Sequence, residues 1–339
     1  MHRYVTFIIL GLGVFAVAAG LMLQLFAYPR LAKIPHNVDE VSVAHGDGIT
    51  ALVYMKNGDT YTPEIREDLS LTSTTHVTGN MRAEEVTEDG DVTVWTEASI
   101  VTVDGEPDST VNGSLRSLCL DRYSGEAVTP CENQFYEDTE GERITGVRGS
   151  LLQPGLNFKF PFATEQRDYR WFDTNLKKAL PIKYAGEEEI QGLATYKFTQ
   201  VVPPTKVEER DVPGALVGQP DVPTVRAELY YEATRTLWVE PKTGAVIKGG
   251  EDGKQELRAD GEATTVFDGD LSLTDETVTA NVEAADENLG SLWAITVLPV
   301  ILYIVGGVLI VASIVMMVAG GRGRHSLSAS APTRVKQPV

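Results

Sequence analysis

Val92-Thr-Val-Trp-Thr-Glu-Ala-Ser-Ile-Val-Thr-Val103 is a run of β-branched and aromatic residues, and it ends at Asp104-Gly105. Such side chains fit the pleated surface of a strand, and Asp-Gly is a typical hairpin turn. Similar runs occur at residues 193–202, 227–233 and 264–273, again with turn residues between them. Short strands separated by regular turn signals predict a mainly β, antiparallel domain, built as a sandwich or as a curved half-barrel.

The charged residues are distributed unevenly along the chain of 339 residues. All 48 acidic residues lie between Asp39 and Glu287, whereas five of the 29 basic residues lie outside that interval. The middle therefore carries 24 basic against 48 acidic residues, a net charge of −24, and both ends are basic. An excess of acid argues against a nucleic-acid partner, because nucleic-acid binding needs Lys and Arg to displace phosphate counterions.

Two uncharged apolar runs flank the acidic middle, at residues 5–27 and 291–319. A helix needs roughly 20 apolar residues to cross a bilayer, so both runs are long enough. The positive-inside rule puts both basic ends in the cytoplasm. We therefore predict a two-pass protein of the plasma (inner) membrane, with residues 1–4 and a disordered basic tail, 320–339, inside, and an extracytoplasmic or periplasmic domain at residues 28–290. The alternative for the first run is a cleaved signal peptide.

Small and aromatic residues inside these runs suggest how the two helices are placed. Trp293 is well positioned for the membrane–water interface. Ala16 and Gly20 have the small-xxx-small spacing that lets two helices approach closely, although this spacing also arises by chance in a span rich in Gly and Ala. Residues 274–289 are expected to form a helix that continues into the second run.

The two cysteines of the chain, Cys119 and Cys131, are close in sequence and lie in the domain predicted to be extracytoplasmic. In an oxidising compartment they are expected to form a disulfide. The chain has no H-E-x-x-H, G-x-S-x-G, P-loop or dinucleotide-binding motif. We therefore predict no enzymatic activity, no catalytic residue, no metal site and no cofactor.

Residues 156–162 alternate strictly between apolar and other residues, and a second aromatic group follows at residues 169–172. One interpretation is the buried face of a strand that completes the core. The other is the wall of an apolar groove for a lipid, since pockets for apolar ligands are lined in this way. The candidate lipid-binding residues are Phe158, Phe160, Phe162, Tyr169, Trp171 and Phe172.

Two further patterns concern the domain's internal organisation. Residues 121–128 and 240–247 share the order strand, acid, Gly-containing turn and apolar strand. Either the domain has two similar β lobes, or both stretches are a common hairpin turn. Residues 203–223 contain five prolines and are predicted to be a long loop or lid rather than a strand.

Three stretches resemble the porin PorA-like family of actinobacterial membrane proteins: residues 167–173, 192–198 and 238–244. The order of helix, large outer domain, helix and basic tail is also similar to that family. The best understood branch is the PorA-like glycolipid factor of mycobacteria and corynebacteria, which acts in the periplasm beside the trehalose monomycolate exporter. The resemblance implies a lipid or glycolipid-binding protein of the cell envelope, with the membrane and an envelope-lipid exporter complex as partners. A non-catalytic scaffold and a porin subunit are the alternatives.

Overall fold

The computed structural model describes residues 2–27, 30, 32–57, 60–87, 90–138, 141–145 and 152–322. Of these, the side chains of residues 2–3, 27, 57, 60, 107, 291–296 and 319–322 lie outside the description. The predictions for Trp293 and for the tail beyond residue 322 therefore fall outside it as well. The chain divides into two compact units, Lys33–Leu289 and the pair Met1–Ala32 with Gly290–Val339.

The larger unit is built almost entirely from β-strands. They are β1 Asp39–Asn57, β2 Thr60–Gly79, β3 Val92–Val103, β4 Glu106–Asp121, β5 Phe135–Glu137, β6 Arg143–Thr145, β7 Tyr169–Asp173, β8 Lys178–Ile190, β9 Leu193–Val212, β10 Val225–Val239, β11 Val246–Ala259 and β12 Glu262–Leu273. The predicted antiparallel β class is confirmed, and the run that indicated it is β3 from its first residue to its last.

The twelve strands form one sheet in the order β6-β5-β4-β3-β2-β1-β12-β11-β10-β9-β8-β7. Each half of the sheet is a meander of six consecutive strands, and the halves join where β1 pairs with β12. Beyond the strands, Leu156 forms an antiparallel bridge with Glu126 and a parallel bridge with Trp171 on β7. Leu156 therefore links the two halves a second time, so the sheet curves back towards itself as a half-barrel does.

The prediction of a loop or lid over residues 203–223 is wrong for its first half. β9 continues to Val212 and carries Pro203 and Pro204 within it. Both prolines fall where the register between β9 and β10 shifts, between Thr205 and Val202, so no ladder bond is lost there. The part that is not strand is short and includes a 3-10 helix at Gly214–Val217.

Helix α2, Asp275–Arg322, begins directly after β12 and confirms the helix expected at residues 274–289. Thr274 caps it, because its Oγ1 accepts the backbone N–H of Thr277 at 3.3 Å. Val278, Val282 and Ala285 follow at helical spacing and are buried against Ile247 of β11 and the β8–β9 hairpin. The first turns of α2 are thus part of the larger unit's core.

Two helical segments are long and apolar enough to cross a membrane, Tyr4–Phe26 and Val297–Val318. The first comprises α1, His2–Met22, and a π-helical turn, Leu23–Ala27. The second lies within α2, which runs through Pro299 without interruption. The chain is a membrane protein with two candidate spans.

Glycines set the distance between these two helices inside the smaller unit. A Cβ on Gly306 would lie 2.8 Å from the carbonyl oxygen of Gly13, and a Cβ on Gly20 would lie 2.8 Å from the ring of Tyr303. The Tyr303 hydroxyl also donates to Gln24 Oε1 at 2.8 Å. Gly20 of the predicted small-residue pair is therefore in contact, and the closer approach at Gly13 and Gly306 was not predicted.

This contact predicts that Gly306→Leu lowers the resistance of the full chain to unfolding by SDS in detergent micelles. The new side chain overpacks the helix pair, at a cost of about 1–3 kcal/mol. The control is Gly307→Leu, because nothing lies within 4 Å of a Cβ at Gly307. Equal losses in the two variants would contradict the packing described.

Candidate functional site

Turn 1, Asp121–Gly125, closes the end of β4 with a carboxylate cap. Asp121 Oδ1 accepts the backbone N–H groups of Tyr123 (3.1 Å) and Ser124 (2.7 Å) and the Ser124 hydroxyl (2.8 Å). The N–H of Gly125 donates to the carbonyl of Asp121 at 2.9 Å. One acidic side chain therefore satisfies most of the turn's exposed donors.

Turn 2, Glu240–Gly244, closes the end of β10 with the same hydrogen bonds. Glu240 accepts the N–H groups of Lys242 (3.0 Å) and Thr243 (2.6 Å) and the Thr243 hydroxyl (2.6 Å). The N–H of Gly244 donates to the carbonyl of Glu240 at 2.9 Å. The two stretches that resemble each other in sequence thus adopt one structure.

The likeness extends upstream of both turns, which sequence reasoning missed. An arginine precedes each acid by five residues, Arg116 on β4 and Arg235 on β10. Each arginine lies opposite a polar residue of the preceding strand, Glu97 and Gln200 respectively. The spacing from arginine to acid is visible in the sequence and was the available signal. Together with the two six-strand meanders it supports the two-lobe interpretation of the sequence over a chance hairpin.

Arg116 is the centre of a buried polar network in the first half of the sheet. It makes a two-pronged ion pair with Glu97, at 2.7 and 2.9 Å, and donates to Asn157 Oδ1 at 2.7 Å. Its guanidinium lies 4.7 Å from the centre of the Phe158 ring. Because Asn157 and Phe158 belong to the segment between the two halves, Arg116 also holds that segment in place.

Arg235 has the corresponding place in the second half. It pairs with Glu251 and, at 3.4 Å, with Asp173, and it donates to Gln200 Oε1 at 2.5 Å. The Tyr231 hydroxyl donates to Glu251 at 2.8 Å. Burial raises the pKa of Asp173, and burial with the nearby Glu251 raises the pKa of Tyr231. This network is a structural ion cluster whose members bind one another.

Residues 155–164, here called the aromatic strap, lie between turn 1 and turn 2. Backbone N–H groups of the strap donate to carbonyl oxygens of turn 2 at 2.7 to 3.0 Å. On the other side the carbonyl of Gly155 accepts the N–H of Ala127, just after turn 1, at 3.0 Å. The donors to turn 2 are Phe160, Ala163 and Thr164.

Both turn glycines are needed for this arrangement. Gly125 and Gly244 have φ of +75° and +74°, a region that other residues rarely adopt. A Cβ on Gly244 would overlap the carbonyl oxygens of Phe160 and Pro161, and one on Gly125 would lie 3.2 Å from that of Lys159. The strap backbone therefore occupies the space that a side chain on either turn would take.

The strap's aromatic residues are divided between two separate apolar clusters. Phe160 is fully buried in the first, with ring centres 4.5 Å from Phe198, 5.2 Å from Tyr169 and 5.4 Å from Trp171. Leu156 belongs to the same cluster. The second half of the sheet supplies most of this cluster.

Phe158 and Phe162 point to the second cluster, which the first half of the sheet supplies with Trp95, Leu118 and Leu120. The rings of Phe158 and Trp95 are 5.6 Å apart. Residues 156–162 pack into the core, but they are not one face of a strand. Only Leu156 forms β-bridges, and the alternate side chains enter two different clusters. Phe172, the sixth candidate residue, is buried on β7 outside both clusters. Lipid contact by any of the six residues remains a prediction.

This chain matches a known protein family and resembles individual members of it. The family model described as Porin PorA matches residues 5–315. The chain belongs to the porin PorA family. One relative, "Porin PorA" of Corynebacterium resistens, is 28% identical over 221 residues, 50% of this chain and 54% of the relative. Another, "Porin PorA" of Corynebacterium amycolatum, is 24% identical over 173 residues, 43% of this chain and 45% of the relative. The chain thus spans about half the length of these relatives, whose names describe pores rather than enzymes.

The disulfide of this PorA-family protein forms as predicted between Cys119 and Cys131, with the two Cα atoms 5.7 Å apart. It joins the end of β4 to the segment after turn 1. The Glu85 carboxylate and the two sulfur atoms lie within 4.8 Å of one another. Because the sulfurs are bonded to each other they are not thiolate ligands, so this group offers only one carboxylate to a metal.

A cleft of about 610 Å³ lies at the other end of β9 and β10 from the turns. Charged side chains line it, and several form ion pairs with one another, as Arg226 does with Glu209 at 3.5 Å. A charged lining does not suit an acyl chain. Of the charged cleft and the strap region, only the strap region has an apolar lining that suits an acyl chain.

The close approach at turn 2 predicts that Gly244→Ala destabilises the protein and displaces the strap. The methyl group meets both the unfavourable φ, worth about 1–2 kcal/mol, and the strap carbonyls. Gly105→Ala is the control, because Gly105 has φ +76° but no atom within 4 Å of a Cβ. Thermal unfolding of the full chain should show a clearly larger loss for Gly244→Ala, and equal losses would contradict the contact.

The Arg116 network predicts that Arg116→Met costs about 3–5 kcal/mol of unfolding free energy, because it leaves the Glu97 carboxylate buried without its partner. Arg226→Met is the control, since its ion pairs are exposed and worth at most about 1 kcal/mol. Denaturant titration of the two variants measures the difference. A loss at Arg116 no larger than at Arg226 would refute the buried network as a determinant of stability.

Proposed function

We propose that this PorA-family protein is a membrane-anchored envelope protein whose β domain binds a lipid or glycolipid of the trehalose monomycolate type and assists its transport or assembly. The aromatic strap is the observation that carries the proposal. Apart from the bridges of Leu156 it lies outside the strand ladder, and it contributes side chains to two apolar clusters. The part of the strap after Leu156 can therefore leave without breaking a strand pairing, and its release would expose an apolar groove.

The free energy lost when the strap is released is comparable with the free energy gained when an acyl chain is buried in its place. Fully burying a phenylalanine stabilises by about 1.5–3 kcal/mol. Only Phe160 of the strap's three rings is fully buried, so together they contribute at most about 9 kcal/mol. An acyl chain gains about 0.8 kcal/mol for each buried methylene. About ten methylenes in the groove would therefore offset the loss of the strap's contacts, which is within the reach of a membrane lipid.

The proposal includes a location and a partner. Both basic ends are in the cytoplasm and the acidic β domain is on the extracytoplasmic side, by the positive-inside rule. Two membrane anchors hold the domain close to the bilayer from which lipid is taken. They also raise its effective concentration beside an envelope-lipid exporter in the same membrane.

A porin subunit is the second candidate, and the names of the two relatives favour it. Two helices cannot enclose a pore, so this function requires several copies of the chain. Ion conductance by the purified protein in planar bilayers would support the porin function, and an absence of conductance at high protein density would argue against it.

Photo-crosslinking tests the lipid proposal. The full chain carries p-benzoyl-phenylalanine in place of Phe158 or Phe162 and is mixed with vesicles containing trehalose monomycolate, then irradiated. We expect lipid adducts by mass spectrometry at both positions, because both side chains leave the second cluster with the strap and then lie beside the lipid that replaces them.

Phe267 is the matched control position. It is a half-buried phenylalanine packed on another cluster, formed by β1, β2 and β3. No adduct at Phe158 and Phe162, or the same yield at Phe267, would overturn the lipid proposal. Adducts with phospholipid vesicles alone would retain lipid binding but remove the preference for the glycolipid.

A further inference from the structure

Lys159 is the only charged residue of the aromatic strap, and it touches both turns. Its Nζ donates to the carbonyl oxygen of Thr243 in turn 2 at 2.7 Å. Its backbone carbonyl lies against Gly125 in turn 1. The side chain also lies over the ring of Phe162, with Nζ 3.8 Å from the ring centre. Lys159 therefore connects strap, turn 1 and turn 2.

Among the residues that the structure describes, the Lys159 amine has no directly bonded carboxylate to stabilise its positive charge. Its hydrogen bond goes to a neutral carbonyl rather than to a carboxylate. Glu40 on β1 and Glu240 in turn 2 attract the charge from a greater distance. Burial outweighs both and lowers the pKa of Lys159 to about 7. The other charged residues of the turn regions that pack on the strap are Asp121, Arg122, Glu126 and Lys242.

We propose that Lys159 is a proton-operated latch, in which proton uptake by its amine favours release of the strap from between turn 1 and turn 2. The latch rests on the proposed function, because the released strap opens the groove assigned to the lipid. In the closed strap the Lys159 side chain is half-buried, whereas release returns the amine fully to solvent. A group that is charged more easily in the released state couples proton uptake to release.

The direction of the pH effect follows from the two states. The amine has a pKa of about 7 with the strap closed and its ordinary value, 10.5, with the strap released. Between these values the released state binds more protons, so lowering the pH favours release. Because one proton is involved, the ratio of released to closed strap changes at most about tenfold for each pH unit. Below pH 7 the amine is protonated in both states and the ratio no longer depends on pH. The closed strap is thus strengthened as pH rises from 7 to 10.

Hydrogen exchange on the full chain in detergent, without lipid, tests the latch. The amides observed are those of Phe160, Ala163 and Thr164, with exchange corrected for the intrinsic rate at each pH. We expect their protection to rise severalfold to tenfold for each unit between pH 7 and pH 9. In Lys159→Met protection should be higher than in the wild type at pH 7 and independent of pH.

Lys242→Met is the matched control. Lys242 is exposed in turn 2, so its replacement removes a nearby charge but not the latch. This variant should keep the wild-type pH dependence. Lys159→Gln, which also lacks the charge, provides a second variant should Lys159→Met fold poorly, and it should show the same flat profile as Lys159→Met.

Wild-type protection that does not change with pH, or an unchanged slope in both Lys159 variants, would overturn the latch. The result is independent of the lipid experiment. A strap that opens on acidification but never yields a lipid adduct would keep the latch and exclude the lipid function. Lipid adducts, combined with hydrogen-exchange protection of the strap that does not change with pH, would support the lipid function and exclude the latch.

Discussion

The contact between the aromatic strap and the two turn glycines is the constraint on which the rest of the domain depends. Gly125 and Gly244 admit the strap backbone because neither has a side chain. A carboxylate fixes each turn by accepting its N–H groups, so the glycines are presented in the same way on both sides. Without the strap between them, the two apolar clusters would each lose the phenylalanines that complete them. The geometry of the two turns and the packing of the core therefore depend on each other in this fold.

Much of this architecture was readable from local sequence. The β-branched run at Val92–Val103 identified a strand to the residue, because its propensity and its terminal Asp-Gly agree. The membrane candidates followed from length and hydropathy alone. The likeness between the two turns was also visible, because an acid, a hydroxyl residue and a glycine at fixed spacing is a local device. In each of these features, the residues that determine the structure lie close together in the sequence.

What was missed depends on partners far away in the chain. The prolines of β9 suggested a loop, and only the register against β10 shows that they fall at a bulge. Residues 156–162 alternate as a strand does, but their two sets of side chains enter two clusters that the sequence does not place on opposite sides. The burial of Arg116 and Arg235 was not predicted, because it depends on their partners Glu97 and Gln200 on neighbouring strands. Alternation thus indicated burial correctly and could not identify the neighbours.

The pairing of the first strand with the last has a mechanical consequence. β1 and β12 are antiparallel, so the N-terminal part of β1 and the end of β12 lie at the same end of the pair, near Ala44–Leu273. The start of α2 is fastened to the same place, where Thr277 Oγ1 bonds to Val43 at 3.1 Å. A force that pulls the two chain ends apart loads this junction as a zipper, opening one pair of hydrogen bonds at a time, and not in shear across many pairs at once. Tension reaches this seam only after two outer fastenings have given way. One is Ile34, which exchanges hydrogen bonds with Arg122 of turn 1, and the other is the first turns of α2, which pack against Ile247.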